Sequence, residues 1–178
     1  MLHKTRILLK HLWLDASDAQ QAISPDMLER LTQRVAASEG RHTGQIRIYV
    51  EAALPMSYLW RLNDGAGNTM SALIRQRAVM LFGKLRVWDL AANNGVLIYL
   101  LLAEQAIEIV ADRGLSQHIS DAGWQAMVAR MSANFAQHRF EDGLTQALEE
   151  VSSALVQYFP TISGRAQTND MPDEPVLS

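Results

Sequence analysis

The chain has no cysteine. That excludes a disulfide framework, a thiolate nucleophile and any zinc site built on sulfur. Basic charge is not in surplus either: 16 Lys and Arg stand against 19 Asp and Glu, a formal net charge of −3, and no cationic stripe runs through the sequence. Nucleic acid, whose phosphates call for such a surplus, is therefore not an expected partner. Long apolar runs are also missing. A bilayer-spanning helix needs roughly 20 apolar residues in succession, and residues 96–102 fall far short of that. Residues 1–14 set His3, Lys4, Arg6, Lys10 and His11 among Leu, Ile and Trp, so that Lys10 and His11 interrupt the apolar core of a secretory signal. The sequence thus predicts a cytoplasmic chain without a transmembrane segment. Common catalytic signatures are absent as well: there is no Gly-Lys-Ser/Thr phosphate loop, no His-Glu-x-x-His pair and no Gly-x-Ser-x-Gly elbow. Gly65-Ala66-Gly67 has two glycines of a dinucleotide turn but lacks the third.

What is present suffices for one substantial core, since 48% of the 178 residues are apolar. Residues 4–13 read as a short basic amphipathic helix with Leu8, Leu9, Leu12 and Trp13 on one side. It is either an arm packed on the domain or a peripheral membrane contact through residues 1–14. Ser24-Pro25 predicts a helix start, Leu28, Leu31 and Val35 follow its spacing, and Gly40 ends it. Over residues 45–51, Ile46, Ile48 and Val50 alternate with Arg47, Tyr49 and Glu51, the period of a strand with one buried face. Residues 62–71 hold turn formers, and Ile74, Ala78, Leu81, Phe82 and Leu85 then recur at helical spacing.

Residues 96–102 and 107–110 predict two more strands with a tight connection between them. The β-α-β order makes the first two strands parallel, and the tight connection makes the third antiparallel. Trp124, Met127, Val128, Met131 and Phe135 mark one later helix, and Leu144, Leu148, Val151 and Leu155 another. The polar residues 161–178 predict a disordered tail. The organisation expected is an amphipathic arm at 1–20, a domain at 21–160 and that tail. The fold class is α/β, a small mixed sheet with helices on both faces.

That topology gathers polar residues at one rim. The starts of the first two strands and the finish of the third share an end of the sheet, which brings Glu39, His42, Asn94, Asp112 and Arg113 together, with Asp121 at the next helix start nearby. Such a set suits a hard cation or a phosphate. Asp112 and Asp121 are the candidate metal ligands, for calcium or magnesium, while Glu39, His42, Asn94 and Arg113 are the candidate ligand-binding residues. Each also has a plain structural reading. Asp121 caps its helix, Asp112 and Arg113 form a turn and a surface ion pair, Asn93-Asn94-Gly95 is a turn with positive φ, and His42 is a packed histidine.

The ordered words Ser38-Glu39, His42, Gly44, Arg77-Ala78, Phe82, Trp88-Asp89, Asn94-Gly95-Val96-Leu97, Asp112-Arg113-Gly114, Trp124, Phe140, Gly143 and Phe159-Pro160 make the chain resemble the TPM domain family over residues 38–160. The resemblance implies a three-layer α/β/α sandwich and, for some relatives, divalent-cation binding and phosphatase activity. Where family members often carry an acid after the glycine that opens strand one, and a base in the hairpin turn, this chain has Gln45 and Gln105. It looks like the shorter soluble bacterial subgroup. The function expected is a non-catalytic binding or assembly module for a membrane-associated complex, its protein partner unidentified. The alternative is a metal-assisted phosphatase acting on phosphomonoesters.

Overall fold

A computed structural model describes residues 2–62, 68–161 and 171–178. The Gly65-Ala66-Gly67 turn and residues 162–170 of the expected tail lie outside the described residues. Three strands follow the sequence reading: β1 (Gln45–Glu51), β2 (Gly95–Leu101) and β3 (Ala106–Ala111), with β1 parallel to β2 and β2 antiparallel to β3. A fourth, β4 (Val176–Leu177), pairs parallel to the other side of β1, giving the order β3-β2-β1-β4.

Strand alternation divides the core in two. Ile46, Ile48, Val50, Val96, Ile98, Leu100, Ile107 and Ile109 face one side, covered by α2 (Ala16–Ala22), α3 (Pro25–Glu39), α6 (Arg113–Ser116), α7 (Asp121–Ala136) and α8 (Phe140–Tyr158). Tyr49, Leu97, Tyr99, Leu101 and Val110 face the other, covered by α1 (Leu2–Trp13), α4 (Met56–Leu59) and α5 (Met70–Lys84). The result is the α/β/α sandwich, with β2 buried along its whole length.

Local chemistry sets the helix boundaries. Ser24 accepts a hydrogen bond from Met27 N–H and Pro25 occupies the first turn of α3. Asp15 and Asp18 form a reciprocal capping box at α2.

One expectation needs correction. Residues 171–178 are an ordered strap. Arg47 on β1 donates to the carbonyls of Pro172 and Glu174, Ser178 N–H donates to Val50 O at 3.0 Å, and Ala52 N–H donates to Ser178 O at 2.7 Å. An open strand edge with its own arginine holds a segment whose composition alone would leave it unstructured. The four apolar residues that the sequence placed on one side of α1 divide in the structure, Leu8 packing on the core with Ile7. The side chain of His11, 4% exposed, faces inward, where Nδ1 accepts Leu54 N–H at 3.0 Å and Nε2 pairs with Glu104 at 3.1 Å. Leu9, Leu12 and Trp13 are left facing outward.

Candidate functional site

The rim is assembled as the topology requires. Gly95 pairs with Gln45 across β1, and Asp112 N–H donates to Gly95 O at 2.9 Å from the β3 side, so Asn94 and Asp112 are neighbours. Asn94, 1% exposed, donates through Nδ2 to Thr43 Oγ1 at 3.2 Å. Exposed Arg113 donates through Nε to Asn93 Oδ1 at 3.1 Å, and no Asp112–Arg113 ion pair forms. Instead Asp112 Oδ1 accepts Arg113 N–H at 2.7 Å, capping α6. Asn93, at φ 50°, supplies the positive-φ turn, and its carbonyl accepts Gly114 N–H at 2.8 Å.

Two buried ionisable groups stand beside this clasp, and both serve the fold. His42 is fully buried. Its Nδ1–H donates to Gly44 O at 3.0 Å, which leaves Nε2 to accept from the Ser38 hydroxyl at 3.0 Å. Burial is the main force that pushes its pKa down to about 4, with Arg41 nearby adding to the effect. Glu39, 7% exposed, accepts Ile46 N–H at 2.7 Å, ahead of the first β1–β4 pair at Tyr49 and Val176. Its carboxyl is raised to about 7, first by burial and then by neighbouring Asp173 on the strap, against the opposing pull of Ile46 N–H.

The two linkages run in opposite directions. The contribution of Glu39 is complete below about pH 4.5 and is lost as pH rises through about 7. That of His42 is complete above 6.5 and is lost as pH falls towards 4.

Asp121 is not part of this cluster. The cap of α7 is Ser120, whose hydroxyl accepts Gly123 N–H at 3.2 Å, and Asp121 is an exposed first-turn acid. It lines a cavity of about 660 Å³ beside β3 with Ala111, Ser116 and Trp124, and Asp112 does not line it. Among the described residues no three His, Asp or Glu side chains gather as ligands for an ion. One atom at the rim does invite a cation: Asp112 Oδ2 is buried and has no hydrogen-bond partner among the described residues. A carboxylate oxygen in that condition fits a hard-cation ligand, while Asp121 lines the cavity beside β3 that Asp112 does not.

The sequence reading missed Thr43 as the partner of Asn94 and Asp173 as the neighbour of Glu39, and gave Asn93 only its turn and not its bond to Arg113. It also missed a buried polar group on the opposite face. Glu51, 5% exposed at the end of β1, pairs with Arg77 of α5 through both carboxylate oxygens and accepts the Tyr99 hydroxyl at 2.6 Å. Burial opposes the charge on Arg77, but the Glu51 carboxylate outweighs it and raises the guanidinium pKa. Arg77 also lies over the Tyr58 ring, 5.5 Å from its centre. The one sequence clue was an arginine at a core-facing helical spacing, one residue before Ala78.

A profile of the TPM domain matches residues 16–154. Among solved structures, the fold is similar to the NMR structure of BA42 protein from the psychrophilic bacterium Bizionia argentinensis. The TM-score is 0.70 at 21% identity, over 86% of this chain and 94% of that one. At that identity the likeness establishes the fold. No curated protein matches the chain.

Proposed function

Since the chain belongs to the TPM domain family, we propose that it is a binding module that helps assemble a membrane-associated complex, acting in the cytoplasm, and that it does not hydrolyse phosphate esters. One observation carries this reading: the polar groups at the rim are held in the fold's own hydrogen bonds. His42 has both ring nitrogens engaged, Glu39 holds Ile46, Asn94 holds Thr43, and Arg113 holds Asn93. A general base needs a lone pair within reach of a substrate proton, and buried His42 offers none. No helix among the described residues is long and apolar enough to cross a membrane, so a membrane-associated complex would be met from the surface.

The test is turnover of a phosphomonoester panel by the full chain with calcium or magnesium present. No hydrolysis above the protein-free rate is expected. Cation-dependent hydrolysis lost in Asp112→Asn would overturn the reading.

Asp112 Oδ2 favours one addition, a divalent cation held by Asp112 with backbone carbonyls and water. Such an ion would supply positive charge for a phosphate-bearing or carboxylate-bearing partner. Calorimetric titration with calcium and with magnesium should show weak saturable heat that disappears in Asp112→Asn. That variant keeps the amide carbonyl as the α6 cap, so it separates cation binding from folding. Equal heat in both proteins would remove the cation from the account.

A further inference from the structure

The outward face of α1 has no counterpart inside the molecule. The helix is fastened to its domain by Ile7, Leu8 and His11, the last bonded to Glu104 and to the Leu54 backbone. Leu9, Leu12 and Trp13 are 52%, 60% and 84% exposed. These positions, i, i+3 and i+4, lie side by side on a helix, so the three large apolar side chains form one continuous stripe. Arg6 and Lys10 flank it, both exposed, Lys10 also reaching Glu104 at 3.5 Å, and the helix contains no acidic residue in a chain of net charge −3. In the same layer Trp60, at the end of α4, is 73% exposed and Arg61 follows it. Isolated exposed apolar residues need no explanation, but a helical stripe with cations beside it does.

We propose that α1 lies on an anionic membrane surface, with Leu9, Leu12 and Trp13 entering the headgroup boundary and Arg6 and Lys10 meeting lipid phosphates. An indole at the level of the headgroups and cations alongside an apolar face are what an interfacial helix requires. A second copy of the chain is disfavoured, because pairing through this face would oppose two acid-free cationic helices. His11 fixes the helix to the domain, so membrane contact also sets how the rest of the molecule faces the bilayer. This deepens the module reading, on which it rests for its biological role, while the contact itself stands on α1 alone.

The experiment is flotation of the full chain with phosphatidylcholine vesicles, with and without phosphatidylglycerol. The chain should float with the anionic vesicles and float less at about 0.5 M salt, where surface attraction is screened. Leu12→Ser/Trp13→Ser should reduce binding roughly tenfold or more, with a blue shift of tryptophan emission lost alongside it. Arg6→Glu should weaken binding to anionic vesicles while leaving the apolar stripe intact. All these residues are exposed, so unchanged thermal melting certifies each variant.

A wild-type chain that does not float, or a Leu12→Ser/Trp13→Ser variant that floats equally well, overturns the proposal. So does self-association that the double variant abolishes without any lipid binding. A floating chain that hydrolyses phosphomonoesters overturns the module reading and leaves the membrane contact standing.

Discussion

Gly95→Ala should be among the most destabilising single changes in this protein, at about 3 kcal/mol. Gly95 is buried, opens the central strand β2, and pairs with β1 on one side and with the β3 exit on the other. A methyl group there would be driven into the Val87 carbonyl oxygen, far inside van der Waals contact, with the Val87 side chain 3.0 Å away. Backbone is the obstacle, so no side-chain rotation relieves it. Either the 85–94 connection lifts away, taking Asn93 and Asn94 with it, or β2 loses its first pair. Gly114 faces a similar wall, formed by the Asn93 carbonyl and, at 2.6 Å, that of Ala92.

Gly83 provides the control. It lies in α5 with nothing near its missing Cβ, and Gly83→Ala should stabilise by about 0.5–1 kcal/mol through helix propensity. Urea unfolding of both variants measures the contrast. Equal effects would mean that the packing of the 85–94 connection on β2 is wrong.

Arg77→Met should cost about 3–5 kcal/mol, because it leaves the Glu51 carboxylate buried with, among the described residues, the Tyr99 hydroxyl as its side-chain partner. The ion pair itself contributes less than that, since taking both charges out of water offsets most of their attraction. The penalty belongs to the orphaned charge. Glu51→Gln/Arg77→Met should therefore recover part of the loss, since no bare charge remains. For a chain of this size the single variant should melt about 10 °C lower. A double variant as unstable as Arg77→Met would show instead that Arg77 acts through its packing on Tyr58 and not through Glu51.

These two sites show where the sequence could be read and where it could not. Strand alternation at Ile46, Ile48 and Val50, the tight connection between β2 and β3, and the Ser24-Pro25 cap are local signals. They gave the order and direction of three strands, and with them the meeting of Asn94 and Asp112. Glu51 was read as the exposed end of an alternating strand because a charge reports its burial only through its partner, and Arg77 lies 26 residues away. β4 escaped for a related reason. Two paired residues in an acidic, proline-bearing segment have no periodicity, and Arg47 decides their place.

α1 shows where a local pattern stops short. Its apolar residues share one side by spacing, yet Leu8 packs inward while the pair of bonds made by His11 leaves Leu9, Leu12 and Trp13 facing outward. Asp121 and Ser120 are adjacent candidates for one cap, and geometry gave the role to the serine.

The rim is a clasp that holds strand ends together, and His42 reports on it directly. NMR of its imidazole nitrogens across a pH titration of the folded chain should find the neutral ring with the proton on Nδ1, persisting well below pH 6 towards a midpoint near 4. A ring that takes up its second proton near pH 6.5, as a solvated histidine does, would contradict the clasp and return the rim to the list of reactive sites.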